Sequence, residues 1–305
     1  MSDQQHFTDL GMYSNLFGYC GLPLNASTDD DSIDAMVMGV PYDLGTSGRS
    51  GARFGPNGIR QASANLRWEE CRWPWDFELA DRLKATDCGD VGFLWGDSAD
   101  MLKQVEARAH AIVSAGKTLF SMGGDHFVTL PLLRAHAKVH GKLALIHFDA
   151  HTDSYEEDQE YNHGCMFYRA PREGLIDPAH SIQIGIRTDY EDEGYEFAVV
   201  DAHEANEQSV QATVEAIRAR VGDMPAYLTF DIDCLDPAYA PGTGTPVVGG
   251  LSSSRALRIL QGIADLDIVG FDLVEVAPAY DHADVTALAG ATLLLEFMHM
   301  YASRR

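Results

Sequence analysis

The chain is short of basic residues. Its 305 residues hold 22 Lys and Arg against 46 Asp and Glu, a formal net charge of −24. A field of that sign repels phosphate backbones and anionic lipid and attracts small cations, which argues against nucleic acid or membrane as a partner. Solubility alone would be served by the same charge. Cysteine is sparse and odd in number: Cys20, Cys71, Cys88, Cys165 and Cys234 include no Cys-x-x-C pair and no short spacing. A disulfide framework is thereby excluded, and a reducing cytoplasm is expected. No window approaches the roughly 18 consecutive apolar residues of a membrane span, and the N-terminus lacks a basic stretch leading into an apolar core, so neither insertion nor export is expected. No linker rich in Pro, Gly or Ser divides the chain, and no repeat or low-complexity tract interrupts it. One domain is expected over residues 35–305, preceded by an N-terminal arm over residues 1–34.

What is present is a core. Hydrophobic residues make up 46% of the chain, enough for a sizeable interior at this length. Short apolar runs alternate with longer segments of helical period, the pattern of βαβ units around a parallel sheet. Strands are predicted at 36–40, 117–122, 143–148, 181–186, 197–200, 226–230 and 268–274, and helices near 97–115, 126–139, 204–220, 253–264 and 284–302.

In an open parallel sheet, ligands collect beyond the carboxyl ends of the strands. There this sequence concentrates its ionisable residues: "GGDH" (123–126) follows one strand, "HFDAHTD" (147–153) closes the next, and "DIDCLDP" (231–237) and "VEVAP" (274–278) follow two more. Each piece has a plain explanation by itself. Asp125 suits a helix cap with His126 as a bystander, Asp236 before Pro237 suits a turn, and "DIDCLD" fails a calcium-loop template because it lacks the Gly and the terminal Glu. Together the pieces are harder to dismiss. Asp149, Asp153, Asp231 and Asp233 sum to four negative charges beside imidazoles, a cluster that is costly to bury without cations. Two divalent ions would balance it, and mixed Asp and His donors without Cys suit a first-row ion such as manganese.

With these blocks, and with "GVPYDLGTSGRSGARFGPNGIR" (39–60), "DCGD" (87–90) and "NHGCMFYRA" (162–170), the chain resembles the ureohydrolase family of arginases and agmatinases, most of all its bacterial agmatinases. The resemblance implies a three-layer α/β/α fold with a central, mostly parallel sheet of about eight strands. It implies two Mn2+ per subunit, with Ni2+ as an alternative. His126, Asp149, Asp153 and Asp231 would hold one ion, and Asp149, His151, Asp231 and Asp233 the other. A metal-bridging hydroxide would attack a guanidinium carbon, with His163 shuttling the proton to the leaving amine and Glu275 pairing with the guanidinium. Tyr155, Cys165 and Thr245 fall beside the substrate; family members usually carry Thr at the position of Cys165. Assembly into a homotrimer or homohexamer is implied, and the block "RWEECRWPWDFELADR" (67–82) with Trp68, Trp73 and Trp75 is a candidate interface. The Gly-rich stretch would lie at the substrate rim; it lacks the ending of a phosphate-binding P-loop.

The bland readings of the remaining residues are kept. His147 reads as a packed strand residue, Asp272 as support for a strand end and Cys234 as a small apolar residue. The substrate follows from charge: the loop "SYEEDQEYN" (154–162) is acidic, and no Lys or Arg occurs between Leu143 and Tyr168. It would repel the carboxylate of arginine or of 4-guanidinobutyrate and favour the amine of agmatine, giving putrescine and urea for polyamine synthesis. The alternatives are a ureohydrolase for another guanidine (guanidinobutyrate, arginine or guanidine itself) and a catalytically silent metal-binding protein; His163 and Glu275 argue against the latter, since neither is needed to hold metal.

Overall fold

Eight strands form one sheet in the order β2-β1-β3-β8-β7-β4-β5-β6, every neighbouring pair parallel. The structure, a computed structural model, describes residues 18–67, 71–156, 160–190 and 195–305. The strands are β1 (Ala35–Gly39), β2 (Ala85–Asp90), β3 (Thr118–Met122), β4 (Ala144–Phe148), β5 (Ile182–Ile186), β6 (Ala198–Asp201), β7 (Ala226–Asp231) and β8 (Ile268–Val274). The helices are α1 (Gly55–Ser63), α2 (Leu79–Arg82), α3 (Ser98–Ser114), α4 (Thr129–His140), α5 (Met166–Arg172), α6 (Ala202–Glu207), α7 (Val210–Val221), α8 (Ser253–Gly262) and α9 (Val285–Ala302).

Helices cover both faces, which is why the central strands read as unbroken apolar runs rather than as alternating ones. Along β1 the pleat sends Ala35 and Val37 to one core, shared with α1, α7, α8 and α9, and Met36 and Met38 to the other, shared with α3, α4 and α5. This is the three-layer arrangement expected. α9 is long and apolar enough to cross a membrane by length and composition, but Leu294 and Phe297 bury it in the first core.

Local chemistry explains where prediction and structure differ. The expected helix over 204–220 is two helices, because the Ser209 side chain accepts from the Ala212 amide and opens α7 afresh. β2 was not predicted: "ATDCGD" reads as polar, yet Asp87 is buried by a two-bond pair with the Arg60 guanidinium of α1, at 2.8 and 2.9 Å. A charge satisfied in this way can sit in an edge strand that apolar periodicity does not reveal. The described part of the N-terminal segment packs onto the same place. The Tyr19 amide donates to Asp87 at 2.8 Å, and the Tyr19 hydroxyl donates to the Ala291 carbonyl of α9 at 2.7 Å. Of the aromatic block, Trp75 turns inward, its indole donating to Glu296 at 2.9 Å, whereas Trp73 is 83% exposed. Trp68 lies outside the described residues.

Candidate functional site

The four central strands β3, β8, β7 and β4 are neighbours, and their carboxyl ends deliver the acidic segments to one place. After β3, Asp125 accepts from the Phe127 amide and starts a short turn that begins with His126. After β7, Asp231 does the same through the Asp233 amide at 2.8 Å. After β4 and β8 the backbone is forced: Asp153 has φ of 48° and Glu275 has φ of 64°. Side-chain-bearing residues enter that left-handed region at a cost of about 1–3 kcal/mol, and such strain gathers where function over-determines the backbone.

His126 Nδ1 lies 3.0 Å from Asp149 Oδ2, 2.9 Å from Asp153 Oδ2 and 3.3 Å from Asp231 Oδ2. Its other nitrogen, Nε2, is 2.8 Å from Thr229 Oγ1, and the Thr229 hydroxyl donates to Asp272. Thr229 therefore accepts the Nε2 proton, and the neutral ring turns a bare lone pair on three carboxylates. Four acceptors converge on one buried point, which requires a proton or a cation between them. A second cluster joins the first through Asp149: His151 Nδ1 is 3.3 Å from Asp149 Oδ1 and 3.3 Å from Asp233 Oδ2. Two groups of donors, His126 with His147, Asp149 and Asp153, and His151 with Asp149 and Asp233, could each hold a metal ion.

Without cations, protons must fill the gap. Burial, then the Asp233 and Asp149 charges, push Asp231 well above the usual carboxylate range, and burial with Asp149 raises Asp233. Burial and Glu275 lift Asp125 to about 8. Against burial, bonds to Asp149, Asp153 and Asp231 raise His126 well above an ordinary imidazole, and those to Asp149 and Asp233 raise His151 to about 12. Asp149 goes the other way: despite burial, His147, His126 and His151 hold it well below its usual value.

The consequence for stability has a definite sign. The unfolded chain releases carboxyl protons near pH 4 and imidazole protons near 6.5, whereas the folded cluster keeps them to higher pH. The folded state then holds more protons, so stability falls as pH rises. Asp149 is ionised in both states across this range and adds no slope. The metal-free protein should therefore lose thermal stability from about pH 5 to about pH 8, and divalent metal should cancel the loss by replacing the protons. Melting temperatures with and without chelator check this; a metal-free protein that gains stability over that range contradicts it.

A cavity of about 140 Å3 opens beside the carboxylates, lined by Ser47, His151, Asp153, Tyr155, Asn162, His163, Gly164, Asp231 and Thr245. Of the residues expected at the substrate, Tyr155 and Thr245 are on its wall. The Thr245 hydroxyl also donates to Asp233 at 3.2 Å. Cys165 is not on the wall: it is 2% exposed, and its thiol donates to the Asn162 carbonyl at 3.1 Å. It lies behind Asn162, where it precedes α5 and faces the second core.

Glu275 sits behind His163. Its Oε1 accepts from the His126 amide at 2.9 Å and meets His163 Nδ1 at 2.8 Å, while Oε2 is buried without a hydrogen-bond partner. Burial lowers His163, but the bond and charge of Glu275 outweigh it and raise the imidazole to about 9.

Sequence reasoning missed the shell behind these groups. His147, read as strand packing, has both nitrogens engaged: Nε2 with Asp149 Oδ2 at 2.7 Å and Nδ1 with the Gln183 amide at 2.9 Å. Gln183 is oriented by the Tyr195 hydroxyl at 2.6 Å. Asp272, read as strand-end support, accepts from Thr129, Tyr227 and Thr229. The available signal was a polar residue inside each apolar run: Gln183, Thr229 and Asp272.

Residues 33–300 match the arginase family. The chain is 58% identical over 298 residues to the agmatinase of Neisseria meningitidis serogroup C (strain 053442), covering 98% of this chain and 97% of that one. Among solved structures it is similar to a hypothetical agmatinase from Burkholderia thailandensis, with TM-score 0.92 and 44% identity over 96% of this chain and 93% of that one. The proclavaminate amidino hydrolase of Streptomyces clavuligerus superposes with TM-score 0.91 at 37% identity, over 96% and 99% of the two chains.

Proposed function

Since the chain belongs to the arginase family, we propose that it hydrolyses agmatine to putrescine and urea, for polyamine synthesis in the cytoplasm. Two manganese ions per subunit are its cofactors, with nickel the alternative, and the subunits form a homotrimer or homohexamer. Residues 35–305 are its single domain and residues 1–34 its arm.

The observation that carries this reading is His126 Nδ1, a lone pair within 3.3 Å of three carboxylates, two of which, Asp153 and Asp231, line a small cavity. His126, Asp149, Asp153 and Asp231 would hold one ion and Asp149, His151, Asp231 and Asp233 the other, Asp149 and Asp231 being shared. When bound, the ions supply charge compensation and a water acidic enough to act as nucleophile near neutral pH.

The chain's own groups do the rest. Glu275 Oε2, buried and without a partner, accepts from the substrate guanidinium, a cationic fork suited to a carboxylate. Water adds to the guanidinium carbon with loss of one proton to solvent, the bond from that carbon to the alkyl-bearing nitrogen breaks as that nitrogen takes a proton from His163, and the remaining hydroxyl proton leaves the carbon-bound oxygen to give neutral urea. Glu275 holds the His163 ring by Nδ1, which leaves Nε2 for that proton.

Selectivity rests on charge at the cavity mouth. Tyr155 begins the acidic loop on the cavity wall, its hydroxyl donating to the Asp189 carbonyl at 3.2 Å. Glu156 next to it is tied to the Tyr168 hydroxyl at 2.5 Å, and Glu157 and Asp158 lie outside the described residues. A substrate ending in an amine is favoured there over one ending in a carboxylate. Urea release should therefore be at least about 100-fold greater in kcat/KM for agmatine than for arginine or 4-guanidinobutyrate, about the 3 kcal/mol expected of a misplaced like charge. Comparable values for either acid would discard the assignment of agmatine while leaving the metal centre in place.

A further inference from the structure

Ser47 is exposed at the rim of the cavity, on the loop between β1 and α1, and it meets His163 twice. Its backbone N–H is 3.0 Å from His163 Nε2, and its Oγ is 2.7 Å from the same atom. A backbone amide can only donate. Nε2 must therefore present its lone pair, and the proton of the neutral ring sits on Nδ1, facing Glu275.

The loop is built to hold this geometry. The Gly45 amide donates to Asp125 Oδ2 at 2.7 Å, and the Gly45 carbonyl accepts from the His163 amide at 3.0 Å. Asp43 takes the Gly51 amide at 2.8 Å. Arg49 donates to the Thr243 carbonyl at 2.7 Å and lies over the Tyr280 ring at 4.2 Å. Charged groups acting on the imidazole are Glu275, Asp153 and Asp125, all of which favour a second proton on the ring. The Ser47 amide opposes it, because a protonated Nε2 would point at another N–H.

We propose that Ser47 is a positioning residue for His163: its amide sets the Nδ1–H tautomer of the neutral ring, and its hydroxyl relays protons between Nε2 and solvent. This rests on the assignment of His163 as the proton donor to the leaving amine. In that step the Nε2–H bond breaks as an N–H bond forms on the amine, and the ring is left neutral with Nδ1–H retained. Recharging moves the Ser47 hydroxyl proton to Nε2 while Oγ takes one from hydronium or buffer acid at the rim, so serine is unchanged. The rotating hydroxyl donates to the neutral ring and accepts from the charged one; the fixed amide sets the tautomer to which the ring returns each time it gives up its proton.

The test uses the full-length metal-loaded enzyme with Ser47→Ala and Ser47→Thr, and the metal-free protein for spectroscopy. Ser47→Ala should lower kcat for agmatine roughly tenfold in dilute buffer, a part of the ~10²–10⁴ that general acid catalysis supplies. KM should stay within about twofold, and added imidazole buffer should restore the rate by carrying the proton itself. Ser47→Thr, which keeps both donors, should stay within about twofold of the parent. Ring 15N spectra of the metal-free parent above about pH 9, where the ring is neutral, should show His163 with its proton on Nδ1 and a bare Nε2. An unchanged kcat in Ser47→Ala, a loss that buffer does not restore, a threonine variant as slow as the alanine one, or a neutral ring that carries its proton on Nε2 would each overturn the proposal. Failure of the parent to release urea from agmatine would instead remove the proposed function, and the tautomer would still be read from the spectra.

Discussion

Asp231→Asn should lose catalysis and gain stability at once. Asp231 Oδ2 faces the lone pair of His126 Nδ1 at 3.3 Å, and burial with Asp233 and Asp149 makes its charge costly in the metal-free protein. An amide there removes one negative charge and can turn an N–H toward Nδ1, supplying the donor the cluster lacks. The group's raised pKa means that its ionised form costs stability once pH passes the unfolded value, and the substitution lifts that cost. Urea release should fall by at least about 10³-fold, the equivalent of some 4 kcal/mol of lost Lewis-acid stabilisation. The metal-free variant should melt higher than metal-free parent protein at about pH 8, where the parent carboxylates repel most. Metal content, urea assay and melting curves decide it. Activity within tenfold of the parent, or a lower metal-free melting point, would sink the account of a shared ligand carrying surplus charge.

Glu275→Gln should separate charge from shape. The glutamine carbonyl can still accept from the His126 amide and from His163, so the ring stays placed, but the buried anion is gone. Loss of one partner from a buried charged pair costs about 2–5 kcal/mol, so kcat/KM for agmatine should fall about 10²- to 10³-fold. Stability should hold or rise, since Oε2 has no hydrogen-bond partner among the described residues and an unpartnered buried carboxylate oxygen is itself unfavourable. Steady-state kinetics with thermal melts test both halves. A loss below threefold would remove Glu275 from guanidinium binding and leave it as a bracket for His163.

Much of this architecture was legible because parallel strands buried on both faces write themselves as apolar runs. Seven of the eight strands coincide with predicted ones to within a residue or two at either end. The clustering of "GGDH", "DAHTD" and "DIDCLDP" followed from one rule, that chemistry gathers at carboxyl strand ends. What escaped was held by side-chain pairing rather than by period. β2 depends on Arg60 reaching Asp87 from α1, 27 residues away in sequence. α5 is short and contains Pro171, so neither length nor propensity announced it. His147 escaped as a partner of Asp149, although the two are only two positions apart, because the group that holds its other nitrogen, Gln183, lies 36 residues away. Ser47 was hidden in a Gly-rich loop whose path is set by Asp43, Asp125 and Thr243. That Cys165 is buried at the start of α5 was not legible from its nearness to His163 in sequence.

The strand order also says when the site comes into being. β8, the last strand synthesised, lies between β3 and β7, so until it inserts the sheet is two pieces: β2-β1-β3 on one side and β7-β4-β5-β6 on the other. His126 belongs to the first piece, and Asp149, His151, Asp153, Asp231 and Asp233 to the second. No nascent fragment that ends before residue 268 can bring both sets together on this sheet. Closure requires contacts between distant parts of the chain, the slow kind in folding. Metal thus cannot template the fold from a partial chain. An ion held by both sets would have to follow the joining of the two pieces by β8, and a C-terminal truncation that reaches β8 would leave two half-sheets and no place to load an ion.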